Sequence, residues 1–414
     1  MMRPRLWGFL AALSIAGGAI AQDGPSREDV VEALGKAIGH LVDIQNPDGS
    51  WCGKGPESVL EDDFALQTYA SWALGAQALA CSALRGSVRG NPEQLRALER
   101  SVDSLCRVPM PERDSDWDID YVWAAVYGLS TCVELLQDPR FQGPEWAPKI
   151  EQRGKQFLAV LIQNQALDGG WAYYDGPPYA KTPTWSTSFT TAAVLPALYD
   201  AKELLGWDLD AKVLERGKRY LERCALPNGA YSYSLEPVTG VDRLEDINQV
   251  QGSLGRIQVC NWALHRAGVR RITPEILREG LENLFRYHGF LDHARTRPIP
   301  HEGFYANAGY FYFFAHYYAA KVIALLPPAE RPAWYRKLVP HLIKTQWANG
   351  GASDFLRSPY MVVASTSFLA AGLQADLDAI ESKPESESTS GKPTASETEA
   401  EPTPQAKPQE GTPK

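Results

Sequence analysis

The sequence predicts an all-α protein, six helical hairpins closed into an (α/α)6 toroid, and three observations predict it. A short frame recurs: QNPDGSW (45–51) returns as QALDGGW (165–171) with Gln, Gly and Trp at the same spacing, and more weakly as ALPNGAY (225–231) and QWANGGA (346–352). These starts fit a period of about 60 residues, which places faint copies at 105 (LCRVPMP, with Pro109 instead of glycine) and 285 (FRYHGFL, with Gly289). Apolar spacing near the helical period then marks twelve segments. Finally, those segments alternate in character, one wet and one dry, as the two members of a hairpin would.

In chain order the wet helices are expected at 26–45, 92–106, 146–164, 209–224, 273–287 and 331–346. Each has one charged face, and several open on signals such as Asn91-Pro92 or Thr273-Pro274. They read as the outer layer. The dry helices are expected at 60–80, 119–137, 186–204, 249–266, 306–326 and 359–376, with almost uncharged middles such as TSFTTAAVLPAL and MVVASTSFLAAGL. A helix apolar all round is covered on all sides, so these form the inner layer around one central cavity. In each unit the glycine lets the chain reverse, the aromatic two residues on packs across the turn, and the Gln amide takes up backbone groups left open at the helix end. These clasps all fall on one rim, so residues beside them converge.

The ends read differently. Residues 1–21 carry Arg3 and Arg5, an apolar run and a closing Ala-Ile-Ala, the pattern of a secretory signal peptide. The expected location is therefore outside the cytoplasm, periplasmic or extracellular. Residues 381–414 are Glu, Ser, Thr, Pro and Lys without an aromatic, too polar to bury a core, and read as a disordered low-complexity tail. That leaves one repeat domain over 22–380. A formal charge of −9 without a basic run argues against nucleic acid as a partner, and no segment after residue 21 reads as a stable membrane span.

The Gln-x3-Gly-x-Trp stretches resemble the QW repeats of the squalene cyclase and prenyltransferase superfamily, and the resemblance covers about 22–380. It implies a terpenoid cyclase-like toroid with a ligand in its cavity. Class II terpenoid cyclases are marked by Asp-x-Asp-Asp, whose protonated member delivers a proton to an alkene or epoxide. This chain has no such stretch; its nearest are Leu60-Glu61-Asp62-Asp63 and DSDWDID (114–120), where crowded carboxylates would push at least one pKa upward. Acidic residues favoured at helix starts are the simpler account of both. Zinc prenyltransferases carry an Asp-x-Cys pair, absent here, so no zinc site or other cofactor is expected. The six cysteines of an exported chain read as disulfides, with 52–106 and 81–132 allowed by the toroid's two ends and Cys224 and Cys260 free.

Three clusters could carry chemistry. HGFLDHARTRPIPHEGFY (288–305), expected as a long loop, supplies His293, His301, Glu302 and Tyr305 as candidate acids and bases, and Arg295 and Arg297 to hold an anionic group. A metal held by His293, His301 and either Asp292 or Glu302 matches no common zinc spacing. WAYYDGPPYAKTPTW (171–185) supplies Trp171, Tyr174, Asp175 and Trp185 as ligand contacts, although clasp packing alone would explain Trp171. Asp116 and Asp118 add carboxylates from the acidic stretch. On the fifth inner helix, Tyr310, Phe313, Phe314 and Tyr317 share a face that suits either a carbocation or a packed core. The expected partner is a small molecule or a glycan. The functions in competition are a terpenoid cyclase-like isomerase or lyase, a carbohydrate-active enzyme such as a polysaccharide lyase or glycosidase, and a non-catalytic binding module.

Overall fold

The computed structural model describes residues 24–53, 66–88, 90–112, 120–173, 183, 185–235, 247–296, 305, 311–354 and 358–381. The described residues form helices, with two isolated β-bridges and no sheet. The outer helices are α1 (Arg27–Asp43), α3 (Pro92–Arg107), α5 (Ala147–Gln163), α7 (Ala211–Cys224), α9 (Pro274–Arg286) and α12 (Arg331–Thr345). The inner helices are α2 (Leu66–Ser87), α4 (Tyr121–Gln137), α6 (Ser188–Leu205), α8 (Leu254–Arg266), α11 (Tyr312–Leu325) and α13 (Pro359–Glu381). Each inner helix packs on the next and the sixth packs back on the first, which closes the ring. The toroid expected from the sequence is thus observed, and an open superhelix is excluded.

The clasps explain the closure. Each is a tight turn in which the residue after the frame's first position accepts from the glycine N–H and donates to the carbonyl just beyond it; this holds at 46–50, 166–170, 226–230 and 347–351. The glycines sit at φ +84° (Gly49), +104° (Gly169), +81° (Gly229) and +90° (Gly350), a region other L-residues avoid. The Gln amide does more than finish its own helix. Gln45 Nε2 donates across the turn to Gly49 O and outward to Ala97 O (2.9 Å) on the next outer helix; Gln165 does the same to Gly169 O and Val213 O (2.8 Å). Gln346 repeats the pattern to Gly350 O and Ala33 O (2.8 Å), and Ala33 belongs to α1. The sixth clasp therefore stitches the ring shut. The open carbonyl at the helix end is taken by tryptophan instead, since Trp51 Nε1 donates to Leu41 O (2.8 Å) and Trp171 Nε1 to Leu161 O (2.7 Å).

Two expectations are corrected. The faint copy at 285 is no clasp: Gly289 is absent from the positive-φ set, and the chain continues as α10 (His288–Arg295), because His288, Leu291 and Ala294 recur at helical spacing and bury one face. The expected long loop therefore begins as a helix. The cysteines are all thiols, so neither expected bridge is formed. Burial, then the neighbouring Cys106 and Cys81, hold the Cys132 thiol well above its usual range, which groups Cys106 with those two.

Candidate functional site

Among the described residues, the inner layer does not enclose an open well. Trp123 on the second inner helix meets Phe314 on the fifth (ring centroids 6.2 Å apart), and Tyr127 meets Phe368 on the sixth (5.7 Å), so rings from across the toroid plug its axis. Above the plug, on the clasp side, the described residues form a cluster of rings, an aromatic basin. Trp72 stacks on Tyr360 (4.7 Å), Trp123 on Phe189 (5.9 Å), and Phe189 touches Tyr173, Tyr233 and Phe311. Phe189, Phe311, Phe314 and Tyr360 are buried, whereas Trp72, Trp123, Tyr173, Trp185 and Tyr233 keep part of their surface open. The hydroxyls of Tyr173 and Tyr233 share a hydrogen bond of 2.5 Å.

Among the described residues, the carboxyl of Asp120 enters this basin. Asp120 precedes α4 with φ 65°, a left-handed conformation that Asp tolerates better than most residues. Its N–H donates to Tyr173 O, which ties the second clasp rim to the third. The side chain makes no capping bond to α4. It accepts instead from Trp72 Nε1 at 2.8 Å. An acidic helix start is therefore not what this side chain provides. Burial among rings pushes its pKa up to about 7, against the two indole donors of Trp72 and Trp123. A carboxyl so placed can give and take a proton near neutrality, while electron-rich ring faces suit a developing cation.

A second carboxyl, Asp354, lies at the foot of α11, where it accepts from Phe313 N (3.4 Å) and burial pushes it up to about 8 against the nearby Arg295. That arginine donates to Ser353 O (2.9 Å) and lies 5.0 Å over the Tyr312 ring. Among the other expected site residues, His293 is exposed and donates from Nδ1 to Gly289 O on its own helix (2.6 Å). Tyr305 packs on Phe290 (5.1 Å), and Trp185 sits beside Tyr173 (6.2 Å) at the basin edge. Trp171 is 0% exposed and spent on its clasp, so its ring cannot flank a bound molecule. His301, Glu302, Arg297, Asp116, Asp118, Tyr174, Asp175, Tyr310 and the stretch 60–63 lie outside the described residues. Sequence reasoning singled out the stretch containing Asp120 but not Asp120 itself, because what distinguishes it is Trp72, 48 residues away. It also missed His288 and His341, which meet Asp292. The four-residue step from His288 to Asp292 on one helix face was the available signal.

No family model matches the chain, and no curated protein matches it in sequence. Solved structures do match. An unsaturated glucuronyl hydrolase specific for heparin aligns at a TM-score of 0.53 and 8% identity, covering 86% of this chain and 99% of that one. The α-1,6-mannanase GH76A of Salegentibacter sp. aligns at 0.51 and 12% identity over 84% and 99%. A type II terpene cyclase from Scytonema aligns at 0.45 and 13% identity over 85% and 99%, too weak a likeness to carry weight alone. At these identities the shared property is the fold alone, and the chain is an α/α toroid.

Proposed function

We propose that the aromatic basin binds a largely apolar, unsaturated ligand and that Asp120 acts on it as a general acid, which makes the protein a terpenoid cyclase-like isomerase or lyase. The observation that carries this reading is a carboxyl raised to about 7 by burial, beside the indoles of Trp72 and Trp123 in a ring-lined basin. Protonation of a C=C bond by Asp120 would leave a carbocation facing Trp72 and Trp123, and loss of a proton from a neighbouring carbon to the resulting carboxylate would restore the acid. The described residues of the basin are mostly aromatic, which favours an apolar ligand over a glycan. His301, Glu302 and Arg297, expected from the sequence beside the clasp rim, are assigned in this reading as contacts for a polar end of the ligand. The N-terminal signal pattern puts the reaction outside the cytoplasm.

A glycan is the second reading, favoured by neighbours with TM-scores of 0.51 and 0.53 that are named as a mannanase and a heparin-specific hydrolase. Asp120 would then protonate a glycosidic oxygen, with Asp175, Asp116 or Asp118 as the partner carboxylate. No described helix is long and apolar enough to cross a membrane, which leaves both readings open. The deciding experiment extracts small molecules from the purified full chain for mass spectrometry and incubates the protein with isoprenoid alkenes and with a mannan and heparin-oligosaccharide panel. Conversion or retention of an isoprenoid that Asp120→Asn abolishes supports the first reading. Cleavage confined to the glycans replaces it with the second, and inertness toward both refutes an Asp120 enzyme.

A further inference from the structure

Away from the basin, three ligand atoms of a different kind converge. His288 and Asp292 stand one turn apart on α10, and His341 stands on α12 of the next hairpin; one atom from each lies within 4.8 Å of the others. The protons on this cluster follow from an anchor. His316, fully buried on α11, points Nδ1 at Tyr312 O (2.6 Å), and a carbonyl can only accept, so Nδ1 carries the hydrogen. With that hydrogen spent on the carbonyl, the neutral form of this fully buried ring has a bare acceptor at Nε2. That Nε2 lies 2.9 Å from His288 Nε2, so His288 donates there. With Nε2–H used, a neutral His288 presents the lone pair of Nδ1, and what it faces at 3.2 Å is an oxygen of Asp292. Two acceptors then confront each other unless something positive lies between them.

A second proton on His288 is the plain way to resolve this contact, as an ion pair with Asp292. A cation satisfies the same lone pairs without protonating a buried ring. We propose that His288 Nδ1, Asp292 and His341 form a site for a divalent transition-metal ion of the zinc class. Two imidazoles and a carboxylate are its ordinary donors, and they leave a fourth position open. The His288-to-His316-to-Tyr312 chain is the outer hydrogen bonding that fixes which nitrogen of a ligating histidine faces the metal. His316 is thus a positioning residue and not a ligand. The His288 and His341 rings are stacked at 3.5 Å with an angle of 24° between them, so the half-buried His341 ring turns about its Cβ–Cγ bond when the ion binds. Lys344, three residues on, works against any cation, and the site is accordingly weaker than a closed structural zinc site.

The test uses the full chain stripped with EDTA and titrated with Co2+, followed by displacement with Zn2+. The expected result is one equivalent of Co2+ bound with a visible d–d band, bleached by one equivalent of Zn2+. Asp292→Asn and His341→Asn, both at partly exposed positions, should each weaken binding by about 10–100-fold or more, judged against the loss that even outer partners cause. His293→Ala, one residue from Asp292 but bonded to its own helix, should leave binding unchanged. Absence of a Co2+ band in the wild type overturns the proposal. So does binding that survives both Asn variants, which would place the ion elsewhere on the chain.

Discussion

Gly350→Ala should cost the protein about three times what Gly229→Ala costs, and the excess reads the strength of the ring seam. Both glycines have a left-handed φ, +90° and +81°, so each alanine pays a conformational penalty of ~1 kcal/mol. They differ in what the new Cβ meets. At Gly229 its nearest neighbour is the flexible end of Glu279, 3.5 Å away. At Gly350 it would lie 2.1 Å from Lys36 O, a backbone atom of the first helix, so α1 must be pushed off the sixth clasp. Forcing volume into such a contact adds ~2 kcal/mol, for a total of ~3. With an unfolding entropy of ~2.1 cal/mol/K per residue over roughly 350 residues, these costs become falls in Tm of about 4 °C and about 1.5 °C. Differential scanning calorimetry on the two variants measures both. Equal losses would refute the reasoning, since they would mean that α1 does not approach the sixth clasp and that the ring is not sealed there.

Other outcomes follow from individual residues. Trp171→Phe keeps a ring in the clasp but orphans Leu161 O, and should lower stability by ~1–3 kcal/mol in urea unfolding, the cost of an unpaired buried acceptor; no change would mean water replaces the indole. Asp354 has a folded-state pKa raised to about 8 above an ordinary carboxyl value near 4, so its contribution is fully present below pH 4 and is lost as pH rises through 8. Asp354→Asn should therefore raise Tm at pH 9 relative to the wild type and make no difference at pH 4, and a gain of the same size at both would sink the assignment. Asp120→Asn should reduce turnover of any substrate found by about 100-fold to 10,000-fold, and the wild-type rate should fall as pH rises through about 7, where the acid loses its proton. A rate that climbs through that range would make Asp120 a base.

The sequence by itself determined the toroid. Twelve helical segments alternating wet and dry, and a clasp returning at multiples of about 60 residues, are local or periodic properties, legible because a helix face and a tight turn are written in consecutive residues. The Gln, Gly and Trp of the clasp were read correctly as architecture, but their division of labour was not. Gln346 reaches Ala33, more than 300 positions back, and no local pattern encodes the neighbour that closure brings. The functional surface was decided by tertiary structure for the same reason. Asp120 is singled out by Trp72, Trp123 and Tyr173 around it, and those residues come from three hairpins. Asp292, offered by the sequence as an alternative to Glu302 beside His293 and His301, meets His288 and His341. A helix turns 100° per residue, so His293 points away from Asp292 while His288, four residues back, shares its face, and the third member arrives only when the fifth and sixth hairpins pack.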